Sequence, residues 1–436
     1  MEKYIYKNSG IEWLGEIPEH WKVGKVKRGC QEIDTGKTPS TSEPKYFIDG
    51  TVEWYAPECF NETLWIDDPK KLINQTAVDD GQIKVYPANS VYFVAVGATA
   101  GKVGIISKPA SCNQQINILQ TNYKLLPEYL TYQFKLLETE IIKFAQYTTL
   151  PILNQAKTGN LIMSFPPLQE QKNIANYLDK ATEKIDRVIA IKQEQLVKME
   201  NYYTNTITRF LTIGIENSKT ERTNCFWLPK IKKGWKIKPL KRLLKSKLKY
   251  GANESAENEN LDEPRYIRIT DFGYDGKLRE NTYKSLPMDK AANFLLKEND
   301  VLFARSGATV GKTFIFKGYE GIACFAGYLI KAECDKSKLL PEFLYYYTKS
   351  NNYEEWKNLI FTQATIQNIG ADKYQYLNIP VPPINEQKII VEKINDLNLK
   401  IEVTKNNINS QIKTLQAYRK SLIHECVTGK KQVTGK

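Results

Sequence analysis

The chain of 436 residues carries most of its sequence patterns twice, in the same order. The glycine turn Val96–Lys102 (VGATAGK) returns as Ser306–Lys312 (SGATVGK), and Pro166–Lys172 (PPLQEQK) returns as Pro382–Lys388 (PPINEQK). Chance matches do not stay collinear over half a chain, so the sequence is a duplicated two-part unit. Two copies of so long a period do not form a solenoid. They predict a pseudo-twofold molecule whose ligand has a matching near-symmetry, as B-form DNA read in half-sites does.

The composition is that of an ordinary soluble globular protein, with 42% hydrophobic and 25% charged residues. No apolar run is long enough to predict a membrane span. The N-terminal segment lacks the apolar core of a signal peptide, and the seven cysteines include no CxxC pair. We therefore expect a cytoplasmic chain with reduced thiols. The net charge of +13 favours a polyanionic partner.

The densest cationic stretch covers residues 232–249 and contains no acidic residue. Its lysines and arginine are Lys232, Lys233, Lys236, Lys238, Lys241, Arg242, Lys245, Lys247 and Lys249. Two interpretations remain open for this stretch. It is either a surface that follows the phosphates of a nucleic acid or a solvated helix face in a lysine-rich chain.

Each copy divides into two unlike parts. Residues 1–155 and 217–370 are rich in glycine, proline and aromatic residues and contain short alternating apolar runs, which predict two mixed α/β globular domains. Residues 156–216 and 371–436 contain long stretches without internal glycine or proline, which predict one long helix in each copy.

The two predicted long helices carry a heptad pattern that is typical of a coiled coil. The expected inter-helix seam consists of Leu178, Ile185, Met199, Ile394, Ile401, Ile408, Leu415 and Leu422. A companion series, three or four residues away, would consist of Ile174, Ala181, Val188, Gln195 and Tyr202 in the first copy and of Ile390, Leu397, Thr404, Gln411 and Tyr418 in the second. The alternative is a pair of core helices in a bundle. We predict an α+β fold in which two mixed α/β domains are joined by two long antiparallel coiled-coil helices, with a pseudo-twofold internal repeat.

No catalytic motif is evident. Gly307–Thr313 approaches a P-loop, but one residue is missing between the glycines and the first copy has Val103 where the magnesium-binding hydroxyl would stand. With two histidines in the whole chain, a histidine metal site is not expected. The sequence therefore predicts a chain that catalyses nothing and binds no metal.

Taken together, the motifs resemble the specificity subunit (HsdS) of Type I restriction-modification systems over essentially the full length. The residues that carry the resemblance are Ser9–Trp21 (SGIEWLGEIPEHW), the two GATxGK turns, the two PPxxEQK segments and Val427–Lys430 (VTGK). Each motif alone is weak, but doubled and in this order they are specific.

The resemblance implies that each globular part is a target recognition domain reading one half of a bipartite double-stranded DNA site. It implies that the helices space these domains and dock two methyltransferase subunits (HsdM). Restriction and translocase subunits (HsdR) would join the complex separately. S-adenosylmethionine binding and adenine methylation would belong to the methyltransferase partner, so no cofactor is expected on this chain.

Candidate DNA-binding residues come from the turns, the strand ends and the polar loops that precede each Pro-Pro step. They are Thr35, Lys37, Thr38, Gly97, Thr99, Lys102, Thr149, Asn154, Arg268, Thr270, Arg305, Gly307, Thr309, Lys312, Gln363, Thr365 and Gln367. Arg305 stands where the first copy has Ala95, and arginine is the usual bidentate reader of guanine. The competing interpretation is an ordinary surface arginine at a strand end.

Two other functions remain open at this point. One is a single-chain restriction-modification enzyme with its own catalytic part, which would bind S-adenosylmethionine. The other is a two-headed coiled-coil scaffold that does not bind DNA, which a salt-dependent DNA-binding assay would distinguish because phosphate contacts are strongly salt-dependent.

Overall fold

The computed structural model describes residues 4–145, 153–216, 218–273, 278–307, 309–362 and 368–433. Its contacts divide the chain into two units. Unit 1 consists of residues 1–192 and 409–436, and unit 2 consists of residues 193–408. This division differs from the predicted segments, because the C-terminal end of the chain packs in unit 1 and each long helix contributes to both units.

Unit 1 contains twelve strands within its described residues, mostly short. They are β1 (Tyr6–Asn8), β2 (Glu16–Pro18), β3 (Lys22–Lys25), β4 (Cys30–Thr35), β5 (Val52–Tyr55), β6 (Trp65–Ile66), β7 (Lys71–Ile73), β8 (Val91–Val94), β9 (Val103–Ile106), β10 (Ala110–Cys112), β11 (Ile116–Thr121) and β12 (Ile162–Phe165). Its helices are α1 (Thr76–Asp79), α2 (Pro127–Ala145), α3 (Gln155–Asn160) and the first half of α4 (Leu168–Ile213).

A five-stranded sheet in the order β4-β11-β8-β9-β6 forms the centre of unit 1. It is antiparallel except for the β6–β9 pair. A three-stranded sheet in the order β10-β5-β7 and the pairs β1–β2 and β12–β3 complete the unit. Strand β8 is buried on both faces because Val91 and Phe93 face one hydrophobic cluster while Tyr92 and Val94 face another.

Unit 2 repeats this topology with shorter pieces. Its strands are β13 (Thr220–Cys225), β14 (Leu228–Lys232), β15 (Lys236–Pro239), β16 (Lys249–Tyr250), β17 (Arg265–Ile267), β18 (Val301–Ala304), β19 (Thr313–Ile315), β20 (Ala323–Phe325), β21 (Leu329–Ala332) and β22 (Asn378–Val381). Its helices are α5 (Met288–Ala291), α6 (Pro341–Tyr347), α7 (Asn351–Thr362), α8 (Ala371–Tyr374) and the first part of α9 (Ile384–Val427). The sheet β16-β21-β18-β19 corresponds to β4-β11-β8-β9 of unit 1.

The two long helices run antiparallel. In unit 1, Leu178 of α4 and Leu422 of α9 belong to one buried cluster. In unit 2, Leu211 of α4 and Ile390 of α9 belong to another. The start of each helix therefore packs with the end of the other, and the predicted α+β fold with two long antiparallel helices is confirmed.

The predicted heptad seam is kept in α9, where the residues at seven-residue intervals from Ile394 to Leu422 are buried or half-buried. The companion series departs from the heptad in the middle of α9, where Lys405, Ile412 and Arg419 are covered in place of their preceding neighbours. The seam residues Leu178, Ile185, Ile394, Ile401, Ile408 and Leu422 are buried, while Met199 and Leu415 are half-buried. Of the predicted companions, Ile174 and Ile390 are buried and Ala181 and Leu397 are half-buried. The other companions are exposed, namely Val188, Gln195, Tyr202, Thr404, Gln411 and Tyr418. A nearly straight α-helix has about 3.6 residues per turn, so its contact stripe drifts away from a strict heptad.

The duplicated PPxxEQK segment holds the start of each long helix against its globular part through hydrogen bonds. Gln171 is fully buried, donates to the carbonyls of Pro166 and Lys124, and accepts from the Leu126 N–H. Gln387 makes the matching bonds to Pro382, Lys338 and Leu340. The preceding glutamates, Glu170 and Glu386, accept hydrogen bonds from the indole N–H groups of Trp21 and Trp235. The recurrence of this motif is thus explained by packing.

Candidate nucleic-acid interface

The two glycine turns close hairpins between the central strands of each sheet. Gly97 and Gly101 have φ angles of 104° and 100°, and Gly307 and Gly311 have φ angles of 78° and 82°. These left-handed conformations favour glycine, so both glycines of each turn are required by the backbone. Lys102 is half-buried, and its ammonium donates to the Phe60 carbonyl at 3.2 Å.

In unit 1, three of the predicted candidates lie on one polar loop at the end of β4. The Thr35 hydroxyl donates to Asn117 Oδ1 at 2.9 Å and accepts from the Gln155 amide at 3.0 Å. Thr38 donates to Gln114, and Lys37 is exposed. A Cβ on Gly36 would lie 2.3 Å from the Asn113 carbonyl, so the loop approaches the 113–115 segment closely.

Two further candidates of unit 1 lie beside this loop. A Cβ on Gly97 would be 3.2 Å from the Gln115 amide nitrogen. The Leu153 N–H donates to the Ala95 carbonyl at 2.9 Å, and Asn154 caps α3 by accepting from the Lys157 N–H at 2.9 Å. We call this set the amide face; it consists of Thr35, Lys37, Thr38, Gly97, Gln114, Gln115, Asn154 and Gln155. Amide side chains in such a position are suited to adenine, which presents a donor and an acceptor in the major groove.

At the corresponding strand end of unit 2 stands Arg305. Its N–H donates to the Tyr328 carbonyl and its carbonyl accepts from the Ile369 N–H, so the backbone is held from both sides. The guanidinium carbon lies 4.9 Å from the centroid of the Tyr250 ring. Within the described residues the buried Nε of Arg305 has no hydrogen-bond partner, and no carboxylate pairs with this arginine. Arg305 is therefore an oriented cation without an internal counter-ion.

Tyr250 is the residue that holds the guanidinium, and sequence reasoning missed it. Its hydroxyl accepts from the Ala371 N–H at 2.8 Å, which fixes the ring. The next residue, Gly251, repeats the close approach of Gly36, since a Cβ there would lie 2.3 Å from the Ala326 carbonyl. The match between Gly36 and Gly251 is the signal that could have identified Tyr250. We call Tyr250, Arg305 and the neighbouring exposed Tyr328 the arginine face.

Arg268 departs from the prediction. Its guanidinium pairs with Asp271 at 2.8 Å and donates to the Thr282 carbonyl at 2.6 Å. The Asp271 side chain is only 1% exposed, so the arginine neutralises a buried carboxylate. Because its charge is used inside unit 2, Arg268 stabilises the turn after β17 and is not free to read a base.

Three other candidates of unit 2 line a separate cavity of about 350 Å³. Thr270, Thr309 and Lys312 are brought together there with Arg279 and Lys349. Burial lowers the pKa of Lys349 to about 8, and its ammonium donates to the Thr313 carbonyl. Thr99 is a half-buried residue of the glycine turn of unit 1, and its carbonyl accepts from the Lys102 N–H at 3.3 Å. The other four candidates, Thr149, Gln363, Thr365 and Gln367, lie outside the described residues.

A groove of about 740 Å³ lies beside the arginine face of unit 2. Tyr250 belongs to both, since it lines the groove and stacks on Arg305. The charged residues that line the groove are Lys241, Arg242, Lys245, Lys247 and Asp372. The cationic stretch noted in the sequence therefore forms one wall of a groove next to an unpaired arginine.

No catalytic or membrane-spanning element stands out. Within the described ranges, no cluster of three or more histidine, cysteine or acidic residues could hold a metal ion. In the same part of the chain, every helix is too short or too polar to cross a bilayer. The seven cysteines are unpaired, and burial raises the pKa of the Cys324, Cys334 and Cys426 thiols to about 12, which disfavours the nucleophilic thiolate.

Comparison with known proteins gives one consistent result. The family model described as Type I restriction modification DNA specificity domain matches twice, over residues 18–200 and 232–414. The MjaVIII specificity subunit of a Type I restriction enzyme from Methanocaldococcus jannaschii is 22% identical over 425 residues, covering 96% of this chain and 94% of the relative. The MjaIX specificity subunit of the same organism is 25% identical over 307 residues, covering 68% of each chain.

A solved structure has the same fold. The chain comes from work on complex assembly and conformational transition of the type I R-M system, and it superimposes with a TM-score of 0.71 at 17% identity. The superposition covers 94% of this chain and 98% of the solved one. The likeness therefore extends over both units and both long helices.

Proposed function

The chain belongs to the family of Type I restriction modification DNA specificity domains, and we propose that it reads a bipartite double-stranded DNA site, one half-site per unit. The observation that carries this proposal is the pair of unlike faces on a duplicated scaffold. Ala95 follows β8 in unit 1 and lies beside the amides, whereas Arg305 follows the matching strand β18 in unit 2. Two similar frames with different polar side chains are what a molecule needs to read two different half-sites.

Arg305 is proposed to contact a guanine in the half-site read by unit 2. Its guanidinium is pre-oriented by Tyr250, and the two terminal nitrogens of that guanidinium can bind the O6 and N7 acceptors of guanine in the major groove, whereas its Nε is buried. An unpaired cation is unfavourable when partly buried, so the free chain holds a group that gains a partner when DNA binds.

The complex around this chain follows from the same proposal. We propose that two methyltransferase subunits dock on the chain, bind S-adenosylmethionine and methylate adenine, and that restriction and translocase subunits join them in the cytoplasm. The chain itself would bind no cofactor and supply no catalytic group. The purified chain should therefore neither bind S-adenosylmethionine nor methylate DNA until a methyltransferase subunit is added. Methyl transfer by the chain alone would contradict the proposal.

The decisive experiment compares Arg305→Ala with Arg222→Ala in the presence of the methyltransferase. Arg222 is an exposed arginine of β13, away from the arginine face, and serves as the matched control. Losing one bidentate base contact costs about 1–3 kcal/mol, so the methylated motif should relax at one base pair of one half-site. The other half-site and the Arg222→Ala motif should stay as in the wild type.

Substitutions at Tyr250 separate a reader from a simple surface charge. Tyr250→Phe keeps the aromatic ring under the guanidinium, whereas Tyr250→Ala removes it. We expect Tyr250→Ala to relax the same base pair as Arg305→Ala, and Tyr250→Phe to keep the wild-type motif. If Arg305→Ala leaves the methylated motif unchanged, Arg305 is an ordinary surface arginine that reads no base.

A further inference from the structure

The groove beside the arginine face carries an excess of positive charge that unit 2 itself does not neutralise. Lys241, Arg242 and Lys247 form no ion pair within the residues that the structure describes, and only Asp372 among the lining residues is acidic. Lys245 makes a single long contact of 3.9 Å with Glu333, which also lies 3.7 Å from Lys297. Surface cations without internal partners attract a polyanion.

The corresponding strand of unit 1 has the opposite charge. Gly36 and Gly251 align β4 with β16, so Glu32 and Asp34 occupy the positions of Lys247 and Lys249. Lys84 pairs with both carboxylates, at 2.5 Å and 3.1 Å. Although burial acts to raise the pKa of Asp34, hydrogen bonds from the Thr35 N–H, Lys84 and Tyr86 hold it below its usual value. The edge of unit 1 is thus internally neutralised, and that of unit 2 is not.

The groove also carries aromatic rings beside its cations. The Lys241 ammonium lies 4.1 Å from the centroid of the exposed Tyr376 ring. Tyr250, at the other end of the lining, stacks on Arg305. A ligand in the groove would therefore lie next to Arg305, the proposed base-reading residue.

We propose that this groove is a phosphate-binding track, which holds the sugar-phosphate backbone of the duplex next to the half-site read by Arg305. The inference rests on the proposed function, and it adds which cations of unit 2 hold the backbone. Lys241 and Arg242 have equivalents in Lys27 and Arg28 of unit 1, whereas the position of Lys247 is occupied there by Glu32. Such contacts position the duplex but carry no base sequence, so they act equally on specific and random DNA.

The test uses the full-length chain and a triple variant, Lys241→Gln with Lys245→Gln and Lys247→Gln. The plot of log K against log salt has a negative slope on duplex DNA, and each lost phosphate contact makes it less steep by about 0.9. The slope of the triple variant should therefore be less steep than that of the wild type by about two to three. The affinity for specific and random duplexes should fall together, and the motif methylated with the methyltransferase partner should not change.

The matched control removes the same charge from unit 2 outside the groove, with Lys336→Gln, Lys393→Gln and Lys400→Gln. All three lysines are exposed, and the control slope should stay within about one of the wild type. Thermal melting should show both triple variants folded, because surface substitutions are nearly neutral.

Two outcomes would overturn the track. If the wild-type chain binds DNA with a salt-dependent affinity and the groove variant behaves as its control does, the phosphates lie elsewhere and the proposed function survives. If the wild-type chain shows no salt-dependent binding to any duplex, the proposed function fails together with the track.

Discussion

Replacing the buried glutamine of the second PPxxEQK segment, Gln387→Leu, should destabilise unit 2 strongly. Gln387 is fully buried and bonds three backbone groups at 2.9 Å. It accepts from the Leu340 N–H and donates to the carbonyls of Pro382 and Lys338. Leucine has a similar size and is a good helix former, so the substitution removes the hydrogen bonds with little change in volume or helix propensity.

The magnitude follows from what each backbone group can do afterwards. Lys338 is exposed, so its carbonyl can turn to water, whereas the Pro382 carbonyl and the Leu340 N–H lie in buried or half-buried surroundings. Each buried polar group left unpaired costs about 1–3 kcal/mol, so two such groups cost about 2–6 kcal/mol. A unit of this size loses about 2–4 °C in Tm per kcal/mol, which gives a shift of at least about 4 °C.

The assay is thermal and urea unfolding of the full chain, followed by circular dichroism. Gln195→Leu is the control, since Gln195 lies exposed in the middle of α4. Gln171→Leu should cost about as much as Gln387→Leu, because its three bonds are the same. If Gln387→Leu unfolds within a degree or two of Gln195→Leu, the duplicated glutamine does not fasten the helix and the explanation of the motif is wrong.

Three further predictions concern the helices and the buried charges. Asp186→Asn should cost up to about 3 kcal/mol in urea unfolding, since Arg419, 8% exposed, loses its carboxylate at 2.9 Å and keeps the longer pair with Glu62 at 3.6 Å. Glu200→Gln, in an exposed pair with Lys405, should cost less than about 1 kcal/mol. Ile412→Ala should cost about 2–4 kcal/mol and Gln411→Ala almost nothing, whereas equal costs would support the predicted companion series at Gln411. Because burial lowers the pKa of Lys349 from 10.5 to about 8, the unfolded chain binds more protons between these values. The free energy of unfolding should therefore increase as the pH rises from about 8 to 10.5. Lys349→Met should lack this increase, which is measured as the difference between the wild-type and mutant pH profiles.

The duplicated motifs could be recognised from the sequence because each copy meets the same structural requirement. The left-handed glycines Gly97 and Gly101 have to be glycine wherever the hairpin turns in this way. Gln387 recurs because its amide bonds one backbone group five positions away and two that are 47 and 49 positions away, and Gln171 makes the same three bonds. Order and spacing of such residues were therefore enough to predict two globular parts, two long helices and the family.

The assembly of the candidate site could not be predicted in the same way. Arg268 and Arg305 are both arginines near strand ends, and the sequence does not distinguish them. Asp271 neutralises the first, and Tyr250, far away in the chain, stacks on the second. Whether a charge is used internally or left for a ligand depends on the residues that surround it after folding.

The helices show the same division. Composition and the absence of breakers determined by themselves that α4 and α9 would be long and amphipathic. Only the tertiary structure decided that Ile412, and not Gln411, is buried, and that the end of α9 joins unit 1. Periodicity describes one helix, whereas burial is set by the neighbour against which that helix packs, and the stripe of contacts drifts with the true number of residues per turn.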